Sequence, residues 1–147
     1  MEEVSEYSNS SKNIYQVENL IVKDKVTIFL FGSKSNFDSL CYKILSGIIK
    51  EKPQLNIKRV YCVSQECYLR KKSPYFNRED YDEVVYLQPR IEYWYKSIYF
   101  RNLAMIDSGD YVIFYAEERK NSGAYKTLLY AKTQKNIILV NLFNNKN

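Results

Sequence analysis

A chain of 147 residues can bury one core and is too short for two of ordinary size, and 46% hydrophobic with 27% charged residues is the composition of a folded protein, not a disordered one. Its net charge of +5 leans toward anionic partners, but the basic residues are scattered and the longest run, Arg70-Lys71-Lys72, is too short for a nucleic-acid arm. Histidine is absent and Cys41, Cys62 and Cys67 have no paired spacing, which argues against a zinc site, a disulfide framework and histidine-dependent catalysis, so neither metal nor cofactor is expected.

In chain order, residues 1–12 are polar and aperiodic, and are expected to form a tail or a degenerate strand ahead of a single α/β domain over 13–147. Ile14, Val17, Leu20 and Ile21 recur at helical spacing and predict a short helix over 14–22, capped by Ser11 or Asn13. The run Val26-Thr27-Ile28-Phe29-Leu30-Phe31, ended by Gly32, has the pattern of a parallel strand covered on both faces. Phe37, Leu40, Cys41, Ile44, Leu45, Ile48 and Ile49 then form one apolar stripe along a helix that Pro53 stops, with Cys41 in the core.

The alternation continues with strands at 57–63, 83–87, 111–115 and 137–142, and helices around 96–106 and 124–131. That order predicts right-handed crossovers and a Rossmann-like three-layer sandwich: an α/β fold with a mainly parallel sheet of about five strands. Ligands of such folds bind beyond the carboxyl ends of the strands. No stretch has the roughly 18 apolar residues a membrane span needs. The start Met1-Glu2-Glu3 is acidic where a signal peptide would be basic, so a cytoplasmic location without membrane contact is expected.

Three segments are placed to hold a ligand. Gly32, Ser33, Lys34, Ser35 and Asn36 link a strand to a helix, where free N–H groups and the helix dipole attract anions; an ordinary capped turn is the competing reading. Ser122, Gly123 and Thr127 open the last helix, with Gly123 allowing close approach or an unusual backbone angle, and a plain serine-capped start competes here too. Arg101 and Asn102 either face a cleft or belong to a solvated helix face with Arg101 paired to a carboxylate. The pair Glu117-Glu118 is placed for acid–base work, although surface loops commonly carry such pairs. Tyr93, Trp94, Tyr95 and Tyr99, with Phe100, offer an interaction surface for a base or a protein, while helix packing accounts for part of the cluster. Most of the 15 tyrosines are expected to be buried or half-buried strand residues.

These three segments carry a family resemblance spanning residues 26–141. Phe31-Gly32-Ser33-Lys34-Ser35-Asn36-Phe37-Asp38, and Arg101-Asn102 with Met105-Ile106-Asp107 followed by Gly123, Thr127 and Ala131, resemble patterns of the SLOG superfamily. That Rossmann-like group includes the LOG nucleotide phosphoribohydrolases, DprA-like proteins and small proteins of bacteria and phages. The resemblance implies a pocket for a nucleotide or nucleotide-derived signal. The Pro-Gly-Gly-x-Gly-Thr motif of the LOG enzymes is absent, and the polar tail stands where the family's opening strand would lie. A non-catalytic binding module is therefore expected. The alternative is a protein-interaction or inhibitor (anti-defence) protein of a phage or mobile element, and family context also implies a possible homodimer.

Overall fold

The computed structural model of the protein describes residues 14–88, 94–117 and 122–143. Residues 14–22 form α1, followed by β1 (Ile28–Phe31), α2 (Asn36–Glu51), β2 (Lys58–Cys62), β3 (Glu83–Val85), α3 (Ser97–Ser108), β4 (Tyr111–Phe114), α4 (Gly123–Thr133) and β5 (Ile138–Asn141). The chain is thus α/β, with helix and strand alternating except between β2 and β3. β1, β2 and β3 form one sheet in that order, and β4 pairs with β5 in another. Ile28 to Phe31 align in parallel with Lys58 to Tyr61, and Tyr111 to Phe114 with Ile138 to Asn141. β3 runs the same way as β2, since bonds from Asp82 N–H to the Arg59 carbonyl and from Val63 N–H to the Val85 carbonyl advance together along both strands. The expected tail lies outside the described residues.

The chain groups into two compact units, Met1–Tyr61 with Ser73–Val84 and Cys62–Lys72 with Val85–Asn147. In the first, Val17, Leu20, Ile21, Phe31, Leu45, Ile57, Val60, Tyr61 and Phe76 are buried. Phe76 stacks on Tyr61 with centroids 4.0 Å apart, and Tyr81 lies tilted 5.0 Å from Tyr61. Such rings bury large apolar areas and hold one another in preferred geometries, which anchors the irregular segment before β3. Burial pushes the Tyr81 hydroxyl well above the ordinary tyrosine range, with Tyr61 and Tyr42 adding to it. In the second unit, Cys62, Val63, Ile106, Ala116, Leu128, Ala131 and Leu142 are buried; α3 packs on α4, and α4 on β4. The tyrosines divide, with Tyr61 buried on β2 and Tyr15, Tyr75, Tyr95, Tyr99 and Tyr115 exposed.

β1 departs from the expected strand in two ways. It starts at Ile28, and Ile28 is exposed while Phe29 and Leu30 are half-buried and Phe31 is buried. Burial deepens toward the carboxyl end in β2 as well. The apolar run reflects this gradient, not two fully covered faces. Cys41, expected in the core, is only partly buried, although burial raises its thiol to about 12; Cys62 is the fully buried cysteine.

Arg59 on β2 makes an ion pair with Asp82, Nε to Oδ2 at 3.2 Å, and also donates to Ser46 Oγ at 3.1 Å. The Arg59 hydrogen bond holds the Asp82 carboxyl below its ordinary 3.8. A depressed carboxyl contributes stability above its unfolded value and loses that contribution as pH falls through the folded one. Asp82→Asn is expected to remove a dependence confined to pH below about 4, worth under about 1 kcal/mol for so exposed a pair. Urea midpoints of both proteins from pH 2 to 7 measure it; parallel curves would show that the pair contributes nothing.

Candidate functional site

The loop from β1 to α2 is a closed hydrogen-bonded turn. Ser35 caps α2, its Oγ accepting from Asp38 N–H at 3.2 Å. The hydroxyls of Ser33 and Ser35 both donate to Asp38 Oδ2. Tyr61 Oη donates to the Gly32 carbonyl at 3.1 Å. Asp38 sits in the first turn of α2, so the chain supplies its own anion where the helix dipole would attract one. An incoming phosphate would meet that carboxylate. Lys34 and Asn36 are exposed, and no glycine among the described residues takes a left-handed angle. The geometry is that of the capped turn weighed against the anion site.

The start of α4 is also self-satisfied. Ser122 Oγ accepts from Tyr125 N–H at 3.3 Å, and Thr127, nearly buried, donates its hydroxyl to the Gly123 carbonyl at 2.9 Å. Gly123 has no positive φ, and a Cβ built there meets nothing within 4 Å. The unusual backbone angle that the glycine would permit is therefore not used. Gly123→Ala is expected to raise stability by about 0.4–1 kcal/mol through the unfolded chain, read as an increased urea midpoint. A loss of stability would reveal a backbone demand that this geometry lacks.

Arg101 differs most from its sequence reading. The helix face it stands on is not solvated at this point: Arg101 is 7% exposed, and its Nε and Nη2 donate to Asn102 Oδ1 at 3.2 and 3.0 Å. A guanidinium offers five donors in a rigid fork, and the Asn102 carbonyl orients its plane. The Arg101 charge is felt at Cys62, the last residue of β2: burial pushes that thiol up to about 12, and Arg101 opposes the rise. A cation is thus held in the interior of the second unit, near the carboxyl end of a strand.

Two residues that sequence reasoning missed belong to the same unit. Gln88, after β3, is 3% exposed and donates from Nε2 to the Ser64 carbonyl at 3.0 Å, just past β2. Its Oε1 has no hydrogen-bond partner among the described residues. Asn141, the last residue of β5, accepts from Ala116 N–H at 3.1 Å and from Phe143 N–H at 3.2 Å, and donates to the Ala116 carbonyl at 3.0 Å. Its amide imitates a backbone and extends the β4–β5 pairing beyond the strands. Neither residue has a sequence signal, because a glutamine or asparagine at a strand end reads as loop punctuation.

Of the proposed interaction surface, Tyr93 lies outside the described residues, and so does Glu118. Trp94 opens a short 3₁₀ turn before α3. Tyr95 is 64% exposed and Tyr99 37%, and Ile98, which the sequence reading passed over, is 57% exposed between them. Tyr99 and Phe100 rings lie 5.9 Å apart and tilted. Glu117 is exposed, next to the pinned Ala116.

Among the described residues no cluster of three or more His, Cys, Asp or Glu is placed to hold a metal ion, and no helix is long and apolar enough to cross a membrane. Comparison with known proteins finds no matching family model, no matching curated protein and no matching solved structure.

Proposed function

We propose that this chain is a non-catalytic module that binds a nucleotide or nucleotide-derived small molecule through the unit containing Arg101. The carrying observation is the buried Arg101 guanidinium, oriented by Asn102 near the carboxyl end of β2. A fixed cation in low dielectric attracts phosphate more strongly than a solvated lysine, and its planar fork suits two oxygens at once. Both sheets are parallel, which supports a Rossmann-like three-layer sandwich of about five strands as the finer description of the fold. The self-capped loop at Gly32–Asn36, where Asp38 already stands at the start of α2, favours Arg101 over that loop as the partner of an anion.

Thermal-shift screening against mono-, di- and cyclic nucleotides and ADP-ribose-type molecules tests the reading. A ligand at a hundred times its dissociation constant adds about 2.7 kcal/mol to the folded state. Arg101→Lys is expected to weaken that ligand at least ten-fold, since lysine cannot reproduce the fork, and nucleoside monophosphates are expected to release no free base. Absence of any shift would reject the proposal. The exposed Tyr95, Ile98 and Tyr99 favour a second reading, a protein-interaction or inhibitor module, which that outcome would leave in front.

A further inference from the structure

We infer that Gln88 is the acceptor arm of this binding site and takes a neutral hydrogen-bond donor of the ligand, an amino or hydroxyl group. The inference rests on the ligand-binding reading above and adds which ligand chemistry is selected. Gln88 is 3% exposed, so its amide is removed from bulk water. Nε2 is committed to the Ser64 carbonyl at 3.0 Å, which fixes the plane of the amide just past the carboxyl end of β2. Oε1 belongs to the same rigid group and therefore lies at that strand end too, with no partner among the described residues.

A buried acceptor left unpaired is destabilising, and native chains seldom carry that cost without a use for it. The group of this amide left without a partner is its oxygen, so the demand it makes is for a donor. Oε1 takes an N–H or O–H and has nothing to offer a carbonyl or ether at the same place. Ser64 stands two residues beyond Cys62, where the Arg101 charge is felt, so the acceptor and the cation serve the same strand end. A ligand suited to both carries an anionic group for Arg101 and a neutral donor for Gln88. A nucleotide offers such donors as the amino group of its base and the hydroxyls of its ribose.

Isothermal titration with matched ligands separates the two sources. AMP against IMP exchanges the base amine for a carbonyl, and AMP against its 2′-deoxy form removes a sugar hydroxyl. Wild-type protein is expected to lose at least ten-fold in affinity on one of these exchanges. Gln88→Met, which keeps the length of the side chain and removes the acceptor, should abolish that discrimination. If the Met variant does not fold, the wild-type ligand series decides. Binding of all three nucleotides within two-fold by the wild type, or unchanged discrimination in Gln88→Met, would overturn the inference and leave the Arg101 site standing. No binding of any nucleotide by the wild type would overturn both.

Discussion

Leu45→Ala is expected to lower the stability of the folded chain by about 2–5 kcal/mol, the largest effect of any single truncation considered. Leu45 lies in the middle of α2, is 1% exposed and belongs to the apolar stripe of that helix. Truncation removes buried methyl groups from water exclusion and leaves a cavity that neighbours on a regular helix cannot readily fill. The stripe residues Ile44 and Ile48 are only half-buried, so their truncation should cost less. Against a total stability of order 5–15 kcal/mol, the loss at Leu45 is large enough to be read directly from urea unfolding with an unchanged slope. A loss below about 1 kcal/mol would mean that α2 does not close the core of its unit.

Asn141→Leu should cost about 2–4 kcal/mol, although its side chain is only half-buried. Leucine keeps the volume but removes three hydrogen bonds to backbone, two of them to Ala116, which is itself 3% exposed. A buried N–H and carbonyl left without partners carry the full penalty of desolvation, about 1–3 kcal/mol each, and water reaching the opened loop would recover part of it. Asn141→Asp distinguishes the two halves of the amide: it keeps the acceptor for Ala116 N–H and sets a carboxylate against the Ala116 carbonyl. Asp should therefore be destabilising as well, and less so in acid, where the protonated group can donate. Equal stability of all three proteins in chemical denaturation would show that the segment after β4 is not held by this residue.

The regular elements were largely legible from residue order. The stripe from Phe37 to Ile49 and the stop at Pro53 anticipated α2, observed as Asn36–Glu51, because amphipathic period and proline chemistry act locally. Strand existence was equally clear, whereas the ends of β1 and β3 were placed too wide, since pairing and not composition terminates a strand. The site was legible only in part. Arg101 and Asn102 stood out as polar residues on an apolar helix, but burial of the guanidinium was invisible, because it depends on what packs around α3. The loop at Gly32–Asn36 looked suited to an anion until the position of Asp38 showed that the chain fills that role itself.

What the order of residues determined alone was the alternation of helices and strands, the α/β class and the absence of histidine chemistry, all consequences of local propensity and inventory. Tertiary structure decided which polar groups lost their water: Gln88 fixed on Ser64, Arg101 turned onto Asn102, and Asn141 joined to Ala116. Each of these depends on a partner brought near by folding or on the shell that excludes solvent. Desolvation is a property of the whole environment of an atom, and no window of sequence contains it.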